Sequence, residues 1–398
     1  MLSHLKKYLK DPANRPFIIA GIALSTLVII TRTILWSTIF PDFTNFLNNW
    51  LGTIRSNGLA SVGGSYHNYN SPYLYFIGLF SLIIPDNLSV IKLSTFIIDI
   101  ILAIGVYKLV AHFNPPKIIK FITPFVVLLL PTAILNSAAW GQCDNILAAF
   151  FIWSIYFAFK NKLKLSWALL GLSFAFKMQG IFLAPFLLYL SIHRRKNFIT
   201  GPLIATTSAI IISLPPLLTG HTIADIIDKF IAGTNSMSGA NYLTCWLPNI
   251  WQFVSNDFFH TGRIIGIILG IIALAFFAYL GIKKIPHKPS DTQFIIIAAL
   301  GALILPFVLP LMHDRYYFQA EILLTILAIT TQSKPFLYLA IALQISAILT
   351  FIIDASTSFH SPTSLGLRLL TIIMLFIICH LSLLLNKRNP NEKHPTKR

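Results

Sequence analysis

Long apolar runs constrain this chain more than any other feature of its sequence. A helix needs about 20 apolar residues to cross the hydrocarbon core of a bilayer. Two shorter apolar pieces, 165–176 and 180–192, flank the polar tip Lys177-Met178-Gln179, which predicts two abbreviated helices meeting where protein or water surrounds them. Runs of about full length lie near 17–39, 90–112, 119–137, 145–160, 198–218, 261–282, 292–311, 316–332, 335–353 and 367–385.

These runs predict an all-α fold, a polytopic integral membrane protein with about 12 transmembrane helices. The composition agrees, because 56% of the residues are hydrophobic and 11% are charged, whereas about a quarter are charged in soluble domains. We treat 1–398 as one membrane domain, with a first module over 1–230 and further helices over 231–398 that complete it.

The basic residues predict the orientation of the chain. The net charge is +17, but the basic residues cluster at the ends of apolar runs, which indicates membrane topology and not nucleic-acid binding. If both termini are cytoplasmic, 22 of the 30 basic residues and only 3 of the 13 acidic residues lie inside. The sequence therefore predicts a multi-pass protein of the cell (inner) membrane with its carboxylate chemistry on the extracytoplasmic side.

The predicted extracytoplasmic loop 40–89 opens with an amphipathic pattern, and Asp42 stands at the first turn of that helix. The helix is expected along the outer membrane interface. Asp42 has two interpretations: a helix cap that complements the dipole, or a catalytic base at the membrane surface. Apolar residues recur at helical spacing at Phe43, Phe46, Leu47, Trp50, Leu51 and Ile54.

Aromatic and amide residues follow in two predicted outer segments. Tyr69 and Asn70 belong to a polar loop suited to a sugar. A second interfacial helix over 223–231 follows span seven and leads to Asn241 and to a segment rich in tryptophan around Trp246, whose polar and aromatic groups suit sugar faces and hydroxyls. The alternative interpretation is an ordinary aromatic belt at the membrane interface.

Three polar clusters lie at predicted outer ends of spans, where crossing the membrane does not require them. Ionisable groups at such depth are costly and are candidates for function. One hypothesis is a phosphate cradle built from Lys177, His313 and Arg315, and the alternative is structural pairing of the two cations with Asp144 and Asp314. The clusters are Trp140, Gln142 and Asp144 with Asn136; Lys177 and Gln179; and His313, Asp314, Arg315 and Tyr316.

Other polar residues in the apolar runs receive structural interpretations. Arg32, Lys92 and Asp99 are expected to pair by charge within the bundle. Cys143 and Cys245 both fall on the outer side, and we expect no disulfide between them. No Cys/His spacing is typical of a metal site.

At this point the chain resembles the GT-C superfamily of membrane glycosyltransferases, in particular bacterial relatives of the second mannosyltransferase of GPI-anchor synthesis. Where such relatives have Asp-Tyr-Pro-Pro, this chain has Asn68-Tyr69-Asn70-Ser71-Pro72. The resemblance is carried by Asp42-Phe43-x-x-Phe46 with Trp50, Tyr69-Asn70-Ser71-Pro72-Tyr73-Leu74-Tyr75, Trp140-Gly141-Gln142-x-Asp144, Phe176-Lys177-x-Gln179 with Pro185, and Met312-His313-Asp314-Arg315-Tyr316.

The resemblance implies an inverting transfer of mannose or another hexose from a polyprenyl-phosphate donor to an extracytoplasmic lipid- or glycan-linked acceptor, without a metal or other cofactor. Asp42 is then the base. Lys177, His313 and Arg315 hold the donor phosphate, and the remaining named residues contact sugar or acceptor: Tyr69, Asn70, Trp140, Gln142, Asp144, Gln179, Asn241 and Tyr316. The alternative from another class is a transporter or flippase of lipid-linked sugars. It is disfavoured because residues 201–398 contain no second copy of the motifs of residues 1–200.

Overall fold

The computed structural model describes residues 14–235, 241–356 and 363–386. The basic segments 1–13 and 387–398, on which part of the orientation argument depends, lie outside the described residues. The cytoplasmic placement of both termini therefore stays a prediction.

The described chain is built from helices. Two isolated β-bridges, formed by His313 with Cys245 and Trp246, are its only strand-like pairings. The α-helices are α1 (Arg15–Ile34), α2 (Asn48–Asn57), α3 (Ser71–Ser81), α4 (Asn87–His112), α5 (Lys117–Leu128), α6 (Pro131–Ala133), α7 (Asp144–Phe159), α8 (Leu163–Phe176), α9 (Ala184–His193), α10 (Thr200–Ser213), α11 (Ile223–Asn235), α12 (Phe259–Lys283), α13 (Asp291–Val308), α14 (Phe318–Thr331), α15 (Lys334–Ser356) and α16 (Leu365–Leu385). Short π- and 3-10 helices join them at Phe43–Leu47, Leu59–Gly63, Ile134–Ala139, Met178–Leu183, Pro215–Thr219, Ile250–Phe253 and Asn256–Phe258.

All twelve predicted apolar segments are helical, which confirms the all-α, polytopic fold class. Seven helical segments are long and apolar enough to cross a membrane, and an eighth is the pair Lys117–Leu128 and Pro131–Ala139, bent by 45°. The other four, including the pieces on either side of Lys177, are shorter apolar helices of 10–17 residues. The count of twelve crossings stays a prediction, as does the division into modules at residue 230.

Burial separates central helices from peripheral ones. In α13, 83% of an apolar stretch of 18 residues is buried inside the protein, whereas in α1 only 6% of such a stretch is buried. The outward side chains of α12, including Ile267 and Ile271, are more than half exposed. Lipid-facing apolar residues explain this exposure, because a spanning helix has no need to hide them from water.

The predicted amphipathic helix of the first loop is present as Phe43–Leu47 and α2. Its apolar side chains Trp50, Leu51 and Ile54 are buried in the main hydrophobic core, whereas Phe46 is 42% exposed. The apolar face of α2 therefore packs mainly on protein.

The second predicted helix is α11, and it is tied to the first loop. Ile223 and Ile227 are exposed on one face, while Lys229 is buried. The Lys229 ammonium donates hydrogen bonds to the backbone carbonyls of Gly64 and His67. The first loop and α11, separated by about 160 residues in sequence, are therefore joined by hydrogen bonds.

The expected charge pairing within the bundle is partly wrong. Arg32 pairs with Asp99, as predicted. Lys92 instead donates to the carbonyls of Leu35, Ala138 and Ala139 at 3.2, 2.9 and 2.5 Å. Helix ends leave backbone carbonyls without partners, and the π-helix that ends at Ala139 supplies two such groups to Lys92.

Candidate functional site

A tight turn after the π-helix Ile134–Ala139 positions the first polar cluster. Gly141 has φ +75°, and a Cβ there would lie 2.6 Å from Ile91 Cγ2, so only glycine fits without displacement. The backbone N–H of Gln142 returns to Asn136 O at 2.9 Å. This turn directs Trp140 and Gln142 toward Asp42 and starts α7 at Asp144.

The second cluster occupies a break between two short helices. α8 ends at Phe176, and Lys177 is extended, with φ −159° and ψ 136°. Gly180 then packs against the end of α8, where a Cβ would lie 2.4 Å from Phe174 N. This close reversal buries Lys177 at the polar tip that the sequence predicted.

The third cluster lies on the loop between α13 and α14, and backbone hydrogen bonds join this loop to the segment that contains Leu243 and Cys245. Leu311 N–H donates to Leu243 O at 2.8 Å, and Asp314 N–H donates to Cys245 O at 3.0 Å. The sequence predicted sugar contacts for the segment around Trp246. In the structure its neighbours Leu243 and Cys245 form backbone hydrogen bonds with the residues on either side of His313, and the sugar contact stays a prediction.

Asp42 contacts the first cluster and does not cap its own helix. It forms no side-chain cap hydrogen bond, so the capping interpretation is wrong. Its Oδ2 accepts from Trp140 Nε1 at 3.1 Å and from Gln142 Nε2. Oδ1 receives no hydrogen bond from any described residue, and the side chain is 30% exposed. One oxygen is thus held by two donors, and Asp42 lines a cavity.

Arg315 is the centre of the charge network. Its guanidinium donates to Asp144 Oδ2 at 3.0 Å, Asp314 Oδ1 at 3.1 Å and Gln142 Oε1 at 3.3 Å. It also lies 3.9 Å from Asp42 Oδ2. Gln142 therefore bridges the carboxylate of Asp42 and the buried cation.

Lys177 shares Asp144 with Arg315. Its Nζ donates to Asp144 Oδ1 at 2.8 Å, and it lies 5.0 Å from the centre of the Tyr316 ring. Both ion-pair partners proposed in the structural alternative are therefore present. These pairs still leave the cations at a cavity wall, so structural pairing and ligand binding are compatible.

The loop between α13 and α14 holds groups with unusual proton affinities. Burial, together with Arg315 and Lys177, brings the pKa of His313 well below its usual value, so this histidine is neutral. Burial raises the pKa of Asp314 to about 6, although Arg315 opposes that shift. Among the predicted phosphate contacts, His313 therefore offers a hydrogen bond and no charge.

Two adjacent cavities share the wall formed by Asn68, Tyr69, His313 and Arg315. The smaller cavity has a volume of about 130 Å³ and contains Asp42. The larger, of about 430 Å³, lies on the other side of this wall.

The larger cavity has a mostly apolar lining that also contains charged and polar residues. Lys177 and Gln179 are among its polar residues. Its apolar wall includes Phe174 and Leu305 together with Ile267 and Ile271 of α12. Because those two isoleucines are largely exposed, the cavity lies against the lipid-facing side of α12.

Most predicted site residues come together in this region. Asp42 and Gln142 line the smaller cavity, while Tyr69, His313 and Arg315 line both. Trp140 and Asp144 lie behind the walls and bond to residues that line them. The predicted site residues that line only the larger cavity are Asn70, Lys177, Gln179 and Tyr316.

Asn241 lies away from the cavities, whereas Asn68 and Arg263 line them although no role was predicted for either. Asn241 is exposed and lines neither cavity in the described structure, so its predicted sugar contact is not supported. Asn68 lines both cavities and Arg263 lines the larger one. Asn68 was identifiable from its place in the tyrosine loop, whereas a lone arginine near a span end carries no such signal.

The arrangement can hold an anionic group with an apolar chain on one side of the shared wall and offer a carboxylate on the other. Oδ1 of Asp42 can accept a proton from a hydroxyl in the smaller cavity. Buried amide oxygens of Asn68 and Gln179 have no hydrogen-bond partner in the described chain and can accept from sugar hydroxyls. The described residues contain no cluster of three or more His, Cys, Asp or Glu that could hold a metal.

Comparison with known families agrees with the motifs. No curated protein matches the chain significantly. Residues 72–218 match the family model described as dolichyl-phosphate-mannose-protein mannosyltransferase. The matched range contains Gln142, Asp144 and Lys177, while Asp42 and Arg315 lie outside it. The match covers a little more than a third of the chain, so over that segment the chain is similar to this mannosyltransferase family, and its apolar helices are those of a multi-pass membrane protein.

Proposed function

We propose that the protein moves a hexose, with mannose as the first candidate, from a polyprenyl-phosphate-linked donor to a hydroxyl of an extracytoplasmic lipid- or glycan-linked acceptor, with inversion. The observation that carries this proposal is the shared wall. Arg315 faces both cavities, with the carboxylate of Asp42 on one side and an apolar cavity on the other. Charge stabilisation and proton acceptance therefore meet at one place.

The larger cavity favours a lipid-linked donor over a sugar nucleotide. Its walls are mostly apolar and it lies against the lipid-facing helix α12. A polyprenyl chain in the bilayer can reach such a cavity laterally. Sugar nucleotides are made in the cytoplasm, so an enzyme with an extracytoplasmic carboxylate needs a donor already carried across the membrane.

In the proposed step, the acceptor oxygen attacks the anomeric carbon of the donor sugar. The new bond joins that oxygen to the anomeric carbon, and the bond to the phosphate oxygen breaks. Asp42 takes the hydroxyl proton, and polyprenyl phosphate leaves with the bonding electron pair. Lys177 and Arg315 stabilise the negative charge on the leaving group, and neutral His313 donates a hydrogen bond to it.

The remaining lining residues position the sugar and acceptor in this proposal. Tyr69 separates the two cavities, so its ring suits the sugar at the point of transfer. Asn70, Gln179 and Tyr316 lie beside Lys177 and are proposed to contact donor hydroxyls. Trp140 and Gln142 hold Asp42 and act as positioning residues.

The purified protein, reconstituted in vesicles with polyprenyl-phosphate mannose labelled in the sugar, tests the proposal. We expect label to enter an added glycolipid acceptor and polyprenyl phosphate to appear in equal amount. The anomeric configuration of the product, read by NMR, tests inversion. A transporter or flippase would instead move the label across the bilayer with the donor intact, and that result would reject the proposal.

A further inference from the structure

We infer that Arg263 of α12 binds the phosphate of the lipid donor and stabilises the charge that develops when this phosphate leaves. The inference rests on the proposed function and adds a residue to it. Arg263 lines the same cavity as Lys177 and Arg315, but it comes from α12, whose outward apolar side chains are exposed.

The charge of the site shows why another cation is needed. Lys177 and Arg315 are the cations of the network, and both already contact carboxylates. The carboxylates around them are Asp42, Asp144 and Asp314. With Asp314 ionised the five groups have a net charge of −1, and with Asp314 protonated they are neutral. The network is therefore not positive before the donor arrives.

The negative charge on the phosphate increases during the reaction. A polyprenyl-phosphate sugar is a phosphodiester with one negative charge. The polyprenyl monophosphate that leaves approaches two at neutral pH, because the second pKa of a phosphate monoester is near 6. A cation without a carboxylate partner stabilises the leaving group more than the bound donor, which accelerates the chemical step.

Arg263 has the free charge that the network lacks. It has no ion pair with any described residue, and its guanidinium carbon lies 5.5 Å from the centre of the Phe259 ring. The side chain is partly exposed. It lies four residues after the start of α12, near the predicted outer end of that helix.

An arginine at a membrane interface has a simpler explanation, since it can bind the phosphate of an ordinary lipid headgroup. Both explanations use phosphate chemistry. They differ in whether the bound phosphate belongs to a polyprenyl chain inside the cavity or to a bulk phospholipid outside it. Placement on the wall with Lys177 favours the polyprenyl phosphate.

The test measures binding without catalysis. Wild type, Arg263→Gln, Arg263→Lys and the control Lys283→Gln are placed in phosphatidylcholine nanodiscs. The control removes an exposed cation at the other end of α12. Undecaprenyl monophosphate and undecaprenol are then titrated separately while the thermal midpoint is followed, because a ligand of the folded state raises it. The alcohol has the same chain and no phosphate.

We expect Arg263→Gln to weaken binding of the monophosphate about tenfold, the lower range for a charge-assisted hydrogen bond because the side chain is partly exposed. Binding of the alcohol should not change, Arg263→Lys should recover part of the loss, and Lys283→Gln should match wild type. Equal loss for both ligands would indicate a damaged cavity and overturn the inference.

Three further outcomes separate the possible failures. If Arg263→Gln keeps the wild-type preference for the monophosphate, the inference is wrong while the proposed donor stands. Phosphatidylglycerol, added without any polyprenyl ligand, tests binding of an ordinary headgroup. If it raises the thermal midpoint of wild type but not of Arg263→Gln, and the two bind the monophosphate equally, Arg263 binds headgroups and the inference is overturned. If wild type itself shows no preference for the monophosphate, the proposed donor fails with it.

Discussion

Replacing Asp42 with asparagine separates the chemical role of its carboxylate from its structural role. Both hydrogen bonds that Asp42 receives fall on Oδ2. An asparagine can place its carbonyl oxygen there and keep both. Its amide then takes the position of Oδ1, which receives no hydrogen bond from any described residue. The substitution therefore preserves the local structure and removes the group that can accept a proton.

The structure gives the size of each effect. Loss of a general base costs about 10²- to 10⁴-fold in rate, which corresponds to about 3–5 kcal/mol in the activation barrier. The Coulomb attraction lost between Asp42 and Arg315 at 3.9 Å is about 4 kcal/mol at an effective dielectric constant of 20. Because Asp42 is 30% exposed, solvent reduces the stability cost to about 1 kcal/mol.

Alanine at the same position should behave differently. It leaves Trp140 Nε1 and Gln142 Nε2 without their acceptor, and each such buried group costs about 1–3 kcal/mol. We therefore expect Asp42→Ala to lower the thermal midpoint clearly and Asp42→Asn to lower it only slightly. Both variants should lose sugar transfer.

The assay is transfer from labelled polyprenyl-phosphate mannose in membranes, with the thermal midpoint measured on the same preparations. Asp228→Asn is the matched control, since Asp228 is an exposed acidic residue of α11 away from both cavities. We expect kcat to fall at least a hundredfold in Asp42→Asn and to stay near wild type in the control. If Asp42→Asn keeps more than about a tenth of the wild-type kcat, Asp42 is not the base.

Three further predictions concern the network around Asp42. Asp144→Asn leaves two buried cations without their shared carboxylate, so we expect it to lower the free energy of unfolding by about 3–5 kcal/mol, and a thermal midpoint equal to that of Asp228→Asn would contradict this. Gly180→Ala places a Cβ 2.4 Å from Phe174 N and should weaken donor use, so an unchanged KM for the donor would contradict the close contact. Burial raises the pKa of Asp314 to about 6, so the folded state binds this proton more tightly than the unfolded state does. The free energy of unfolding should therefore increase, by no more than about 3 kcal/mol, as the pH falls from about 6 to 4. Thermal midpoints measured across this window should show the increase in wild type and not in Asp314→Asn; equal slopes would refute it.

Much of the fold could be predicted from local sequence. Apolar runs identified every long helix because a spanning helix satisfies its own backbone hydrogen bonds and needs only apolar side chains around it. The break at Lys177 was also predictable, since a cation and an amide interrupt an apolar run there. The pairing of Lys92 was not, because its partners are carbonyls at the end of a π-helix that residue types do not reveal.

The candidate site was predictable as residue types and only partly as contacts. Resemblance to a family and polar residues at span ends selected Asp42, Gln142 and Arg315. The sequence did not show that the amide of Gln142 joins Asp42 to Arg315, because these residues are separated by 100 and 173 positions. It also gave Arg263 no role, since one arginine near the end of a span is equally typical of an interfacial anchor.

By itself, the sequence determined an all-helical membrane protein with polar groups at selected helix ends, because length and hydropathy decide which segments can enter a bilayer. Only the tertiary structure decided which polar groups share a cavity. Asp144 forms ion pairs with both Lys177 and Arg315. The loop that contains Arg315 is positioned by backbone hydrogen bonds with Cys245. Such contacts depend on how helices pack in three dimensions, and the spacing of residues along one helix contains no information about them.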